Sequence, residues 1–167
     1  SGNDDLLVAT REGMSIRFHE TDARTLGRTA RGVKSITFKR DNDEVVGFDV
    51  IRDNATVLTV SETGYGRRSD PDDYKIQKRG GSGLLNYRVE KYGKVAAIRM
   101  VEEDDDLIMI SSGGIIIRIE SNAINCVARP AKGVKVMRIT GEDKLITLSA
   151  VKHEDENDES LENGDEN

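Results

Sequence analysis

Two glycine landmarks recur through the chain at a distance of about 50 residues, and a period of that size constrains architecture before any local propensity is weighed. The pattern Gly-x-x-x-Arg starts at Gly13, Gly64 and Gly114 and ends at Arg17, Arg68 and Arg118, with spacings of 51 and 50. A second glycine followed by an aliphatic residue stands at Gly32-Val33, Gly83-Leu84 and Gly133-Val134, again 51 and 50 apart. An aliphatic run closes each unit, at Glu44-Val45-Val46, Lys94-Val95-Ala96 and Lys144-Leu145-Ile146. These marks define three repeats, residues 4–51, 54–101 and 104–151. Residues 1–3 read as a linker or cloning remnant, and 152–167 as a tail.

The pattern inside each unit is β. Short apolar runs at 6–10, 56–61 and 107–111 end in polar or glycine turns, and 14–18 and 115–119 follow as hairpin partners. After the second glycine, apolar residues fall at offsets one, four and six: Val33, Ile36, Phe38; Leu84, Tyr87, Val89; Val134, Met137, Ile139. The change of parity predicts a bend early in that strand, followed by a half-buried stretch. The polar stretches 19–24, 69–74 and 120–125 suit a loop or one or two helical turns. Four strands per unit predict an all-β chain of propeller-like, four-stranded antiparallel blades, three in number. Tryptophan-aspartate repeats are shorter and need Trp, of which there is none; kelch repeats rely on blade aromatics, and only 4% of this chain is aromatic.

Charge divides the chain in two. Overall there are 25 Lys plus Arg against 31 Asp plus Glu, a net of -6. Eight of those acids lie between Glu154 and Glu166, where no Lys or Arg occurs; without them 25 bases face 23 acids, and the body is mildly basic. The tail holds one apolar residue, Leu161, and is expected to be disordered. No apolar run reaches the roughly 20 residues of a membrane span. The opening residues lack the regions of a signal peptide, and the chain is expected to be a piece of a longer one. A single cysteine, Cys126, makes a reducing cytoplasm the natural compartment.

Ahead of the second glycine the middle repeat reads Gln77-Lys78-Arg79-Gly80-Gly81-Ser82-Gly83. Three glycines in four positions let the backbone turn sharply and bring amides close to a phosphate, while Lys78 and Arg79 add charge; the plainer reading is a flexible turn. The equivalent heptads run from Leu26 to Gly32 and from Val127 to Gly133. Arg recurs at the third place, as Arg28, Arg79 and Arg129, and the sixth place holds Arg31, Ser82 and Lys132. A core does not require a cation at one place in every unit, whereas a rim touching phosphates does.

The middle heptad resembles the Gln-Arg-Arg-Gly-Gly-Lys-Gly box of the C-terminal domain of bacterial DNA gyrase A, and Gly64-Tyr65-Gly66-Arg67-Arg68 resembles that family's Gly-Tyr-Gly-Lys-Arg blade motif. Gln77, Arg79, Gly80, Gly81 and Gly83 match the box, Lys78 is a like-charged replacement, and Ser82 stands where the box has lysine. That departure and the position in the penultimate repeat favour a second copy of the box. The resemblance implies a β-pinwheel, with a strand exchanged between neighbouring repeats. It implies a non-catalytic module that binds and wraps double-stranded DNA on a basic rim. The longer protein would be an ATP-dependent type II topoisomerase, working with the remainder of gyrase A and with gyrase B in an A2B2 complex, cytoplasmic and associated with the nucleoid. A topoisomerase IV domain and a propeller-like protein-interaction scaffold are the alternatives.

Expected DNA contacts are therefore Gln77, Lys78, Arg79, Gly80, Gly81, Gly83, Arg28, Arg31, Arg129, Lys132, Arg67 and Arg68. Arg17, Arg68 and Arg118 suit either phosphates or acids within a blade, with Arg118 leaning to structure and Arg68 to DNA. The acidic run 102–106 reads as a solvated connector rather than a divalent-cation loop, since it lacks a ligand template. No nucleophile, acid-base pair, phosphate-binding loop for ATP, cofactor site or metal site is expected. The tail suits either a solubilising terminus or an electrostatic competitor; in the second reading truncation near Lys152 should tighten duplex binding at low salt, because tethered carboxylates compete for a basic rim at high effective concentration. Equal affinities of the long and short chains in a titration across salt would remove the competition.

Overall fold

The computed structural model describes residues 2–23 and 31–153, with Ser1, 24–30 and 154–167 outside the described set. Arg28 and the acidic tail therefore lie outside it. Three antiparallel sheets follow one another along the chain. The first contains β1 (Asp5–Thr10), β2 (Met14–His19) and β3 (Val45–Val50), the second β4 (Thr56–Ser61), β5 (Tyr65–Ser69) and β7 (Val95–Val101). The third contains β8 (Asp105–Ser111), β9 (Ile116–Glu120) and β11 (Leu145–Lys152). Each begins with a tight hairpin, β1 to β2, β4 to β5 and β8 to β9. Each polar stretch forms a three-residue 3-10 turn, at Glu20–Asp22, Pro71–Asp73 and Ser121–Ala123.

The fourth strand is not the unit's own. β6 (Leu84–Leu85), from the second repeat, completes the first sheet beside β2, and β10 (Val134–Lys135), from the third repeat, completes the second beside β5. Each of these blades is thus closed by the following repeat: the second and third units carry four strands each, and the third strand of each lies in the preceding sheet, the exchange that the resemblance implies. Periodicity could not separate the two arrangements, because donating the strand to a neighbour leaves the spacing unchanged. The third sheet has three strands among the described residues, in the order β11-β8-β9. The half-buried strand expected after Gly83 is also shorter than predicted. The amides of Asn86 and Tyr87 both donate to Gly13 O (2.7 and 3.0 Å), which turns the chain out of the ladder, and Val89 starts a helical turn, Val89–Tyr92.

The two glycine landmarks are the two halves of this joint. Gly13 and Gly64 both have φ of +85°, and a Cβ there would lie 2.2 Å from Tyr87 O and 2.1 Å from Met137 O. Across the joint, Gly83 (φ +74°) and Gly133 (φ +82°) face Ser15 O and Gly66 O, at 2.3 and 2.0 Å from the would-be Cβ. Both sides need the left-handed backbone and the missing side chain together. The hydrophobic core lies across the joints. Leu58, Val60, Leu107, Met109, Ile124, Val136, Met137, Leu145 and Leu148 form one cluster shared by the second and third blades. Leu7, Ala9, Val57, Tyr74, Ile98 and Met100 form another shared by the first and second.

Gly133→Ala combines backbone strain with a clash against Gly66 O, and is expected to cost about 3 kcal/mol or more. Gly114→Ala has the strain alone, since nothing lies within 4 Å of its Cβ position, and should cost about 1 kcal/mol. Urea unfolding of the two variants measures the difference; equal losses would mean the close approach has no weight.

Candidate nucleic-acid interface

The middle and third heptads sit where the chain crosses from one blade to the next. Ahead of the middle heptad, Ile76 bridges Arg17 in parallel and Gln77 N donates to Arg17 O (2.7 Å); ahead of the third, Cys126 bridges Arg68 and Val127 N donates to Arg68 O (2.8 Å). The in-register Arg side chains clamp the same crossing. Arg17 reaches Asp5 Oδ2 (2.8 Å from Nε) and donates to Pro71 O (3.0 Å), while Arg68 donates to Ile124 O (2.7 Å) and lies 3.8 Å from Glu103. Arg118, in the last of the three repeats, bonds Asp106 of its own sheet. That contact holds the Asp106 carboxyl below its ordinary value, against the opposing effect of burial, and His153 adds to it.

Arg67 and Arg68 are therefore corrected as DNA contacts: they are 0% and 5% exposed. Arg67 donates to Ala131 O (3.0 Å), Ser69 Oγ (2.5 Å), Asn86 Oδ1 (3.0 Å) and Asn86 O, and its guanidinium lies 5.7 Å from the Tyr87 ring. Its acceptors are carbonyls and a hydroxyl rather than a carboxylate. Beyond Ser69 of its own strand they come from the heptad of the third repeat and from Asn86, just past the strand donated by the second, so one guanidinium ties two successive joints. A signal for this was present. Offset three from the first glycine holds Ile16, Arg67 and Ile117, and an inward-facing position in two repeats is inward-facing in the third.

The third-place arginines of the middle and third heptads also serve the crossing. Arg79 donates to Asp22 O (2.7 Å) and Lys34 O (2.5 Å), and is partly exposed. Arg129 stacks 5.5 Å from the Tyr74 ring, with Nε and Nη1 buried and without hydrogen-bond partners, and its amide meets Asp73 Oδ2 at 3.4 Å. Two amides of the box are occupied within the chain: Gly80 N donates to Ser35 O (2.8 Å) and Gly81 N to Lys78 O (3.4 Å). Gln77 is half-buried, with Oε1 unbonded. Gly83 is required by its contact with Ser15, independently of any ligand. The glycines of the heptad thus turn the chain between blades before they can offer anything to a phosphate.

The exposed cations are a different subset. Arg31 and Lys78 project into solvent, and Lys132, half-buried, lies 3.8 Å over the Tyr65 ring and 5.7 Å from that of Tyr92. Lys135 reaches the same Tyr65 ring at 5.4 Å. The contact with Lys132 and its charge, with a smaller part from Lys135, hold the Tyr65 phenol below its ordinary value. Sequence reasoning missed Lys34 and Lys135, both two residues beyond the second glycine, and Arg88 and Arg138, both five beyond it; all four are exposed. Their equal offsets were the available signal.

The acidic run is engaged rather than merely solvated. Lys152 Nζ lies 2.7 Å from Glu102 and 3.0 Å from Asp105, and those contacts, Glu102 first, raise the ammonium above its ordinary value. Among the described residues no group of three or more His, Cys, Asp or Glu is placed to hold a metal ion. Arg67→Ala should lower unfolding free energy by about 3 kcal/mol or more, since it strands several buried acceptors. Lys78→Ala, on the surface, should change it by less than about 0.5 kcal/mol. Equal denaturation midpoints for the two would contradict the buried role.

A family model described as DNA gyrase C-terminal domain, beta-propeller, matches residues 4–52, 55–102 and 105–152. The DNA gyrase A protein of Staphylococcus aureus strain NCTC 8325 / PS 47 is 41% identical over 165 residues, which is 97% of this chain and 18% of that protein. The strain MRSA252 protein is 40% identical over 163 residues, again 18% of its length. The chain therefore spans less than a fifth of these relatives. Among solved structures, a DNA gyrase A C-terminal domain superposes with a TM-score of 0.80 at 25% identity, over 89% of this chain and 50% of that one. A DNA topoisomerase IV C-terminal domain superposes with a TM-score of 0.84 at 18% identity, over 90% of this chain and 47% of that one, a likeness of fold. With every repeat matched and the first two blades each closed by the repeat that follows, this chain belongs to the DNA gyrase C-terminal domain family.

Proposed function

We propose that the chain is a non-catalytic module that binds duplex DNA and bends it along the rim formed by its blade crossings. In this reading the complete protein is a type II topoisomerase, cytoplasmic and acting at the nucleoid. It introduces negative supercoils at the expense of ATP, together with the rest of gyrase A and with gyrase B. The observation that carries the reading is the family membership, which extends over all three repeats. The surface is consistent with it in chemical terms. Arg31, Lys34, Lys78, Lys132 and Lys135 present cations at or beside the heptad of each repeat. Smooth bending of a 20 to 30 base-pair site costs about 1–6 kcal/mol, which several spaced phosphate contacts offset better than one strong one. Backbone contacts of this kind position the duplex without reading its bases.

Fluorescence anisotropy with two unrelated duplexes across a range of salt tests the reading. Lys78→Ala, Lys132→Ala and Lys135→Ala should each weaken binding similarly on both duplexes. Each lost phosphate contact should lower the slope of log K against log salt by about 0.9. No binding at about 50 mM salt would reject a DNA module, and a loss confined to one duplex would reject backbone recognition.

A further inference from the structure

Tyr65 is the centre of a side-chain cluster at the second joint that the first joint lacks. It stands one residue beyond the first glycine of its repeat, where the other repeats have Met14 and Ile115. Half-buried itself, it pairs across the joint with the exposed Lys135. Lys132 Nζ lies 3.8 Å and Lys135 Nζ 5.4 Å from the centroid of its ring. At the first joint the same places hold Met14, Ser82 and Leu85, a neutral surface. Both repeats that build the cluster are described in full.

The cluster is held in place from beneath. Arg67 Nε donates to Ala131 O (3.0 Å) and the Tyr87 hydroxyl to Lys132 O (2.9 Å), which fixes the heptad backbone on which Lys132 stands. The Tyr92 ring, edge-on to Tyr87 at 5.7 Å, lies 5.7 Å from Lys132 Nζ, so the ammonium sits between two aromatic rings. Thr63 fixes Tyr92 in turn by donating to its carbonyl (2.5 Å). Attraction to the ring faces restrains an ammonium that would otherwise lose its rotamer freedom on meeting a ligand. Neither lysine has a carboxylate partner among the described residues, so two positive charges stand here uncompensated.

We propose that this cluster is a phosphodiester site, in which the Tyr65 hydroxyl donates to the phosphate that Lys132 and Lys135 neutralise. It rests on the reading of the chain as a duplex-binding module and names one point at which the duplex is held. The lysines supply charge, and the tyrosine supplies direction. The phenol oxygen accepts from Lys132 and keeps its own proton for the ligand. That contact, and then the charges of Lys132 and Lys135, already hold the phenol below its ordinary value, which makes it a stronger donor to an anion. Arg67, Tyr87 and Tyr92 are the other titratable groups of the cluster.

Fluorescence anisotropy with a duplex across salt, together with urea unfolding, separates the hydroxyl from the ring. Tyr65→Phe keeps the platform and should keep the denaturation midpoint, but should bind about tenfold more weakly, as expected for a lost bond to a charged group. Its slope of log K against log salt should match that of the unaltered chain, because no cation is removed, whereas Lys132→Ala should lower the slope by about 0.9. Unchanged affinity of Tyr65→Phe would overturn the site while leaving the duplex-binding reading intact. A lowered slope would overturn it too, by tracing the loss to displaced lysines. No duplex binding by the unaltered chain would remove the reading itself and the site with it. The ring Cζ resonance of isotope-labelled tyrosine, assigned by its absence in Tyr65→Phe, gives a direct view. Duplex should raise the pH at which Tyr65 ionises, since a phosphate beside a phenol opposes a second negative charge. An unchanged titration, or the same rise with inorganic phosphate at equal phosphate concentration, would overturn the duplex contact.

Discussion

A blade completed by the next repeat needs the incoming backbone to lie directly against the hairpin it closes, without side chains between them. The fold meets that demand at two glycines per joint, each in the left-handed region and each within about 2 Å of a carbonyl if a Cβ were added. From this contact the rest follows. The strand register is set by it, the carbonyls of Gly13 and Gly64 are satisfied through it, and the core clusters form on either side of it. Stability is then distributed between units rather than within them, as in other repeat architectures.

The same constraint governs where charge goes. Arginine is long enough to reach several carbonyls across a crossing, and its planar donors satisfy them in fixed directions. Arg17, Arg67, Arg68 and Arg79 all meet the neighbouring repeat in this way, and Arg129 meets it by stacking on Tyr74. Net charge of the body therefore overstates the cations available to a phosphate backbone. What is available is a sparser set, mostly lysines, with Tyr65 as a platform under two of them.

Much of this was legible in the residues. The period, the all-β blades, the polar turns and the heptads follow from spacing, because a repeated unit must place its turns at repeated positions. Strand exchange was legible only by resemblance, since Leu84 and Val134 have the same offset whichever blade they join. The pair Arg67 and Arg68 misled for a physical reason. Adjacent charges on a strand point to opposite faces, and in β5 neither face is left to solvent: one side chain enters the space between joints and the other lies under the next repeat's crossing. Comparison with Ile16 and Ile117 would have exposed the first. No residue pattern announced that Gly80 spends its amide on Ser35, because backbone partners across 45 residues leave no mark in composition.

Closure by the successor also imposes an order on biosynthesis. When the ribosome has released the first repeat, β1, β2 and β3 are present but the edge of β2 has no cover until Leu84 emerges, and β5 waits in the same way for Val134. Each newly made unit finishes the one before it and leaves its own edge bare, so the growing chain carries a single unpaired edge forward from blade to blade. Nascent-chain aggregation should then depend on pauses between repeats rather than on their number, because a pause prolongs the exposure of that edge.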